Sequence, residues 1–178
     1  MAALVYEIAY ALYFILPAYV ANASPIIFGG GRAIDAGKKL PDGKPIFGSH
    51  KTVRGFCAGL VAGTLTGAVQ SVVLKYNLLP SFVLPFQFNI MSGFMISLGA
   101  LTGDLFHSFV KRRFSIPEGS PLPIADQLDF VVGAFFFYFI ISQSLSLLTV
   151  AIILAVTLPL HLLTNFLAHK LGLKKTPW

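Results

Sequence analysis

The sequence predicts an all-α membrane protein: one domain over 1–178, a bundle of five transmembrane helices whose two cytoplasmic loops form a polar site. Three observations carry this reading. First, 56% of the residues are hydrophobic and only 11% are charged, against about 25% charged in a water-soluble domain. Second, the tracts 8–31, 55–74, 76–103 and 130–169 contain no Asp, Glu, Lys or Arg. About 20 apolar residues cross a hydrocarbon core of roughly 30 Å, so the first three tracts supply one crossing each. The fourth, about twice that length, is predicted to fold as a hairpin turning near 142–146. Third, the cations are one-sided. With five spans, Arg32, Lys38, Lys39, Lys44, Lys51, Arg54, Lys111, Arg112, Arg113, Lys170, Lys174 and Lys175 share one face, with Lys75 opposite. The positive-inside bias then predicts a multi-pass protein of the cell membrane with its N-terminus outside and its site and C-terminus cytoplasmic. The net charge of +6 points to anionic headgroups and nucleotide phosphates instead of nucleic acid.

The predicted spans are about 3–28, 52–74, 88–113, 126–144 and 147–170, with cytoplasmic loops at about 29–51 and 114–125. The first has no basic start and too long an apolar stretch for a signal peptide, so it is expected to remain as a span. Pro17 within it frees a backbone carbonyl that another group must satisfy, and Asn22 and Ser24 can face a polar cavity or serve helix packing. The following loop sets glycines beside Arg32, Lys38 and Lys39, which suits phosphate oxygens. It does not meet the Walker pattern: five residues separate Gly31 from Gly37, Lys39 follows Lys38 where Ser or Thr is needed, and no strand precedes it. Gly55, Gly59, Gly63 and Gly67 then line one face of the second span for close helix packing. The proline-containing 76–87 segment reads as an outer loop against the membrane.

In the third span, Asp104 lies nine residues before Arg113, which is roughly 13 Å along a helix at about 1.5 Å per residue. An acid at that depth is costly unless paired, and it is either a functional-site candidate or a charge neutralised by Lys111 or Arg54 to fix helix packing. His107, Ser108 and Lys111 share its helical face. Asp126 and Asp129, at the start of the fourth span, share a face and can hold one hard cation between them. The aromatic run 135–139 reads as lipid-facing filler, and His161 and His169 as packing or interface residues. Cys57 is the single cysteine, which excludes an internal disulfide and a cysteine-based zinc cluster.

Carboxylates opposite cations in an apolar surround suit Mg²⁺ shared with phosphates, and the set offers no convincing nucleophile of its own. Metal-assisted phosphoryl or nucleotidyl transfer, with a substrate as nucleophile, is the reaction class that fits. A small ion-coupled transporter using the same intramembrane Asp and Lys is the alternative, against which count the five spans and the lack of a visible inverted repeat.

Four blocks, Gly31-Arg32-x-Ile34-Asp35-x-Gly37-Lys38, Lys51-Thr52-x-Arg54-Gly55, Gly103-Asp104 with Ser108-Phe109-x-Lys111-Arg112-Arg113, and Asp126-Gln127-Leu128-Asp129, resemble the archaeal CDP-archaeol synthases, membrane relatives of phosphatidate cytidylyltransferases. The resemblance covers nearly the whole chain. It implies Mg²⁺-dependent reaction of CTP with an unsaturated archaeal diether glycerol phosphate, giving the CDP-activated lipid and pyrophosphate. It further implies metal ligands Asp104, Asp126 and Asp129, catalytic Lys111 alongside them, and phosphate binding by Arg32, Lys38, Lys51, Arg54, Arg112 and Arg113. Ala33 stands where the family pattern has Pro, and Ser49-His50 replace an acidic–Gly pair. The Asp-Gly-x-x-Ala-Arg run of CDP-alcohol phosphotransferases does not occur.

Overall fold

The computed structural model describes residues 2–76, 88–142, 145–174 and 176. It contains five helices: α1 (Ala2–Phe28), α2 (Val53–Lys75), α3 (Ile90–Arg113), α4 (Ala125–Ile141) and α5 (Leu147–Lys170). Their ends follow the sequence. Thr52, Asn89 and Ser146 each accept a backbone N–H of the first turn of α2, α3 and α5, the capping that such side chains supply.

Four of these helices, α1, α2, α3 and α5, are long and apolar enough to cross a membrane. The fourth predicted span is shorter than expected. α4 has 17 residues and ends at Ile141, about 26 Å of helix against a hydrocarbon core of roughly 30 Å. Part of the predicted hairpin turn, Gln143 and Ser144, and residues 77–87 of the predicted outer loop lie outside the described residues.

In a bilayer, lipid tails are as apolar as a protein core, so close packing and interhelical hydrogen bonds hold helices together. α3 packs against α1, α2 and α4, and α1 touches all four other helices. The glycine stripe of α2 is buried as expected, and a Cβ on Gly67 would lie 2.5 Å from the Cα of Gly93 on α3. On the other side of α3, a Cβ on Gly103 would lie 2.5 Å from the carbonyl oxygen of Asp129. The carbonyl freed by Pro17 belongs to Tyr13, one helical turn earlier. It accepts a hydrogen bond of 2.5 Å from the Gln70 amide of α2, whose own backbone carbonyl accepts 3.0 Å from the Tyr13 hydroxyl. That partner was not anticipated from the sequence.

Phe14 anchors the core, edge-on to Tyr138 at 4.8 Å between ring centroids and to Phe88 at 6.3 Å. The aromatic run of α4 is therefore divided. Phe136 is 66% exposed and faces outward as expected, whereas Phe135 and Tyr138 are buried in the core, because a helix turns successive residues through about 100°.

The α3–α4 contact leaves no room for a side chain. Gly133→Val is expected to destabilise the protein by about 1–3 kcal/mol and to lower its melting temperature in detergent, whereas Ala at the exposed Val132 is expected to leave it nearly unchanged; circular dichroism melts of the two variants check this.

Candidate active site

Helical periodicity places Asp104, His107, Ser108 and Lys111 along one face of α3, and all four line a cavity of about 590 Å³. The Gly103 contact draws the first turn of α4 against that face, so Asp126 and Asp129 line the same cavity. Lys51, at the mouth of α2, and Arg112 are part of its charged wall. Lys51 Nζ donates to both oxygens of Asp104 at 2.7 and 2.8 Å. Lys111 Nζ donates to Asp126 at 2.7 and 3.0 Å and to the Ser120 carbonyl at 2.7 Å. The Leu122 amide and His107 Nε2 also meet Asp126, each at 2.7 Å. Burial disfavours the charged form of Lys51, but the adjacent Asp104 carboxylate outweighs this and holds its ammonium above the ordinary lysine range.

One oxygen each of Asp126 and Asp129 and a ring nitrogen of His107 lie within 4.8 Å of one another, the one such grouping among the described residues. Asp104 faces the same space from α3. The expected carboxylates thus meet at one cavity, although the tightest cluster holds His107 where the sequence reading had Asp104. A set rich in carboxylate oxygens fits a hard divalent ion; magnesium takes oxygen before nitrogen, so His107 suits the task of orienting Asp126.

Arg112 is 7% exposed, donates to the Pro117 carbonyl at 3.2 Å, and keeps its Nε without a partner among the described residues. A buried, unsatisfied guanidinium N–H on a cavity wall is suited to an anion. Of the other predicted phosphate ligands, Lys51 lines the cavity and Arg32, Lys38, Arg54 and Arg113 do not. Arg32, Lys38 and Arg54 are exposed. Arg113 is committed elsewhere: its guanidinium donates to Asp42 and to the Pro45 carbonyl, while Lys44 Nζ donates to the Arg113 carbonyl at 2.8 Å. These bonds tie the end of α3 to the 29–52 loop.

That loop is ordered around Asp35, whose carboxylate accepts the amides of Gly37 at 2.9 Å and of Phe47 and Gly48 at 3.0 Å. Burial pushes the Asp35 carboxyl up, but the three amides together outweigh it and hold it below its ordinary value. A second clasp joins the two loops. Glu118 accepts from the Ser49 amide at 3.1 Å and from its hydroxyl at 2.7 Å, with His50 Nε2 3.7 Å away. Ser49 and His50 thus serve the inter-loop contact.

Several cavity residues were missed or assigned otherwise. Asn22, expected to face either a cavity or a helix, lines the cavity, whereas Ser24 donates to the Val20 carbonyl of its own helix at 2.7 Å. His161 packs on Phe130 as expected, with ring centroids 6.1 Å apart, yet it also lines the cavity beside Asn165. Thr157, His161 and Asn165 recur every four residues on α5, and that polar periodicity is the signal that identifies them. Lys174, read only as a topology marker, lines the cavity too. Burial and then the nearby Lys51 charge hold its ammonium below the ordinary value.

Comparison with known proteins gives this geometry a family. The family profile described as CarS-like, CDP-archaeol synthase, matches residues 4–178. The chain belongs to the CDP-archaeol synthase family. It is 43% identical over 169 residues to the CDP-archaeol synthase of Methanocaldococcus jannaschii, covering 94% of this chain and 95% of that one. It is 44% identical to that of Pyrococcus furiosus, covering 94% and 96%. A solved structure described as an intramembrane enzyme for archaeal membrane lipids biosynthesis superposes with a TM-score of 0.75 at 37% identity, over 87% of this chain and 92% of that one. Together with the four long apolar helices, this makes the chain a multi-pass membrane protein of an enzyme family, and the transporter alternative is set aside.

Because the folded-state pKa of Asp35 is depressed, its contribution to loop order is fully present above its unfolded value, near 3.8, and is lost as pH falls through the lower folded value. Asp35→Asn is expected to increase hydrogen exchange at the Gly37, Phe47 and Gly48 amides at pH 7 by about tenfold, while amides in the middle of α3 keep their protection.

Proposed function

We propose that this chain transfers the cytidylyl group of CTP to the phosphate of an unsaturated archaeal diether glycerol phosphate, giving CDP-archaeol and pyrophosphate. The observation that carries the reading is a charged cavity at one end of an apolar bundle, where Asp104, Asp126 and Asp129 share the lining with Lys51, Lys111 and Arg112. In the reaction an oxygen of the ionised lipid phosphate attacks the α-phosphorus of CTP. The bond from that phosphorus to the oxygen bridging to the β-phosphate breaks, and pyrophosphate leaves in line. The nucleophile is already anionic, so no side chain need act as a strong base.

Lys51, Lys111 and Arg112 hold phosphate oxygens and offset the charge that develops during transfer. The exposed loop cations Arg32, Lys38 and Arg54 add long-range attraction for a polyanionic nucleotide, and Arg113 acts by anchoring the loop. Asp104, Asp126 and Asp129 are proposed to hold Mg²⁺, which when bound neutralises the polyphosphate and polarises the reacting phosphoryl group. Until it binds, Lys51 and Lys111 are the counterions of Asp104 and Asp126. In this reading α4 is a fifth, short span, which leaves the N-terminus outside and the cavity and C-terminus cytoplasmic in the cell membrane, as the one-sided cations favour.

Purified protein given radiolabelled CTP, Mg²⁺ and the lipid phosphate is expected to form CDP-lipid and to stop when the divalent ion is chelated. Asp104→Asn, Asp126→Asn and Asp129→Asn are each expected to lower turnover by about 10²-fold or more with membrane insertion intact. Full turnover by Asp104→Asn would remove that residue from the mechanism.

A further inference from the structure

We propose that the C-terminal turn builds the docking point for the phosphate of the lipid substrate, with Lys174 as its cation and Asn165 as its amide donor, where an apolar groove between α1 and α5 opens into the charged cavity. The proposal rests on the cytidylyltransferase reading and adds to it the residues that recognise the lipid.

The groove has a volume of about 360 Å³, with Val20, Ala23 and Ile27 on its α1 side and Leu160 and Ala168 on its α5 side. Ile27 is 64% exposed, so this side of the molecule faces outward where lipid would lie. The groove and the charged cavity share Asn22, Ile26, His161, Asn165 and Leu173, so the two spaces meet at those residues. An amphiphile with isoprenoid chains and an ionised phosphate has its lowest free energy with the chains on apolar wall and the phosphate where that wall turns polar. The boundary between the two spaces is that place.

The chain is built to bring a cation there. Gly172 has φ of 73°, the left-handed conformation that ends a helix. The Gly172 amide donates to the His169 carbonyl at 3.0 Å and the Leu173 amide to the Ala168 carbonyl at 2.9 Å, the paired bonds of a Schellman turn. The chain folds back on the end of α5. Leu173 then lies at the boundary and Lys174 on the charged wall. His169 Nδ1, 3.0 Å from the Lys174 carbonyl oxygen, fixes the same turn. Lys51 and Lys174 both line the charged cavity, so a phosphate held between them is attracted to both ammonium groups. Asn165 is 5% exposed, and its Nδ2 sits 3.1 Å from His161 Nδ1. Since His161 is stacked on Phe130, the amide is held in orientation before any ligand arrives.

The test is steady-state kinetics of the full-length enzyme in detergent micelles, varying the lipid phosphate at saturating CTP and then the reverse, with CTP affinity also measured by equilibrium binding. Lys174→Met is expected to raise KM for the lipid phosphate by about 10- to 100-fold and to leave CTP affinity within about twofold, while Lys174→Arg restores the lipid KM. Ala23→Phe, which fills the groove, is expected to raise the lipid KM alone. With a short-chain lipid phosphate the Ala23→Phe effect should shrink and the Lys174→Met effect persist. If Lys174→Met weakens CTP binding as much as lipid use, or changes neither, the proposal is overturned. Failure of the underlying reading looks different: the wild-type enzyme itself then forms no CDP-lipid from CTP.

Discussion

The site depends on how closely α3 and α4 approach. A Cβ on Gly133 would come within 2.8 Å of the Gly103 Cα, and one on Gly103 would meet the Asp129 backbone. Side chains at those positions would push the helices apart by roughly the size of the groups added, and the acids on either side of Gly103 would move with them. Asp104 follows Gly103 directly, and Asp129 is the residue whose carbonyl Gly103 touches. The contact that packs the bundle is therefore also the one that sets the spacing of its carboxylates.

Placing such charges at the edge of a membrane-embedded bundle is costly unless each has a partner. Asp104 and Asp126 each have a lysine from elsewhere in the chain, Lys51 from before α2 and Lys111 from two turns further along α3. These pairs keep the cavity near neutrality as it stands. They also keep the two ammonium groups beside the carboxylates, where phosphate oxygens and a divalent ion would be handled together. The Leu122 amide and His107 hold Asp126 from two further directions.

Most of this was legible in the sequence. The predicted spans match four of the helices to within about two residues at each end, because crossing length and a lack of charge are strong constraints. The polar stripe from Asp104 to Lys111 and the spacing of Asp126 and Asp129 identified the acids, because a charge in an apolar helix costs too much to persist without a partner or a task. What escaped the sequence was pairing at a distance. Nothing local says that Arg113 is committed to Asp42 and Pro45 while Arg112, beside it, turns to the cavity. Nor does a single letter reveal that Gln70 satisfies the carbonyl freed by Pro17, or that Phe135 and Tyr138 turn inward between outward-facing neighbours. His161 and Lys174 were read incompletely for a related reason. Each has an ordinary local reading, in packing or in topology, that hides a place on the cavity lining visible only in three dimensions.

The bond between Glu118 and Ser49 joins two segments far apart in sequence into one structural unit. Replacing either loop alone with a counterpart from a relative would leave Glu118 facing a backbone it does not match, or Ser49 without its acceptor. Exchanging the two segments together carries both partners of this seam, whereas exchanging one alone removes one of them.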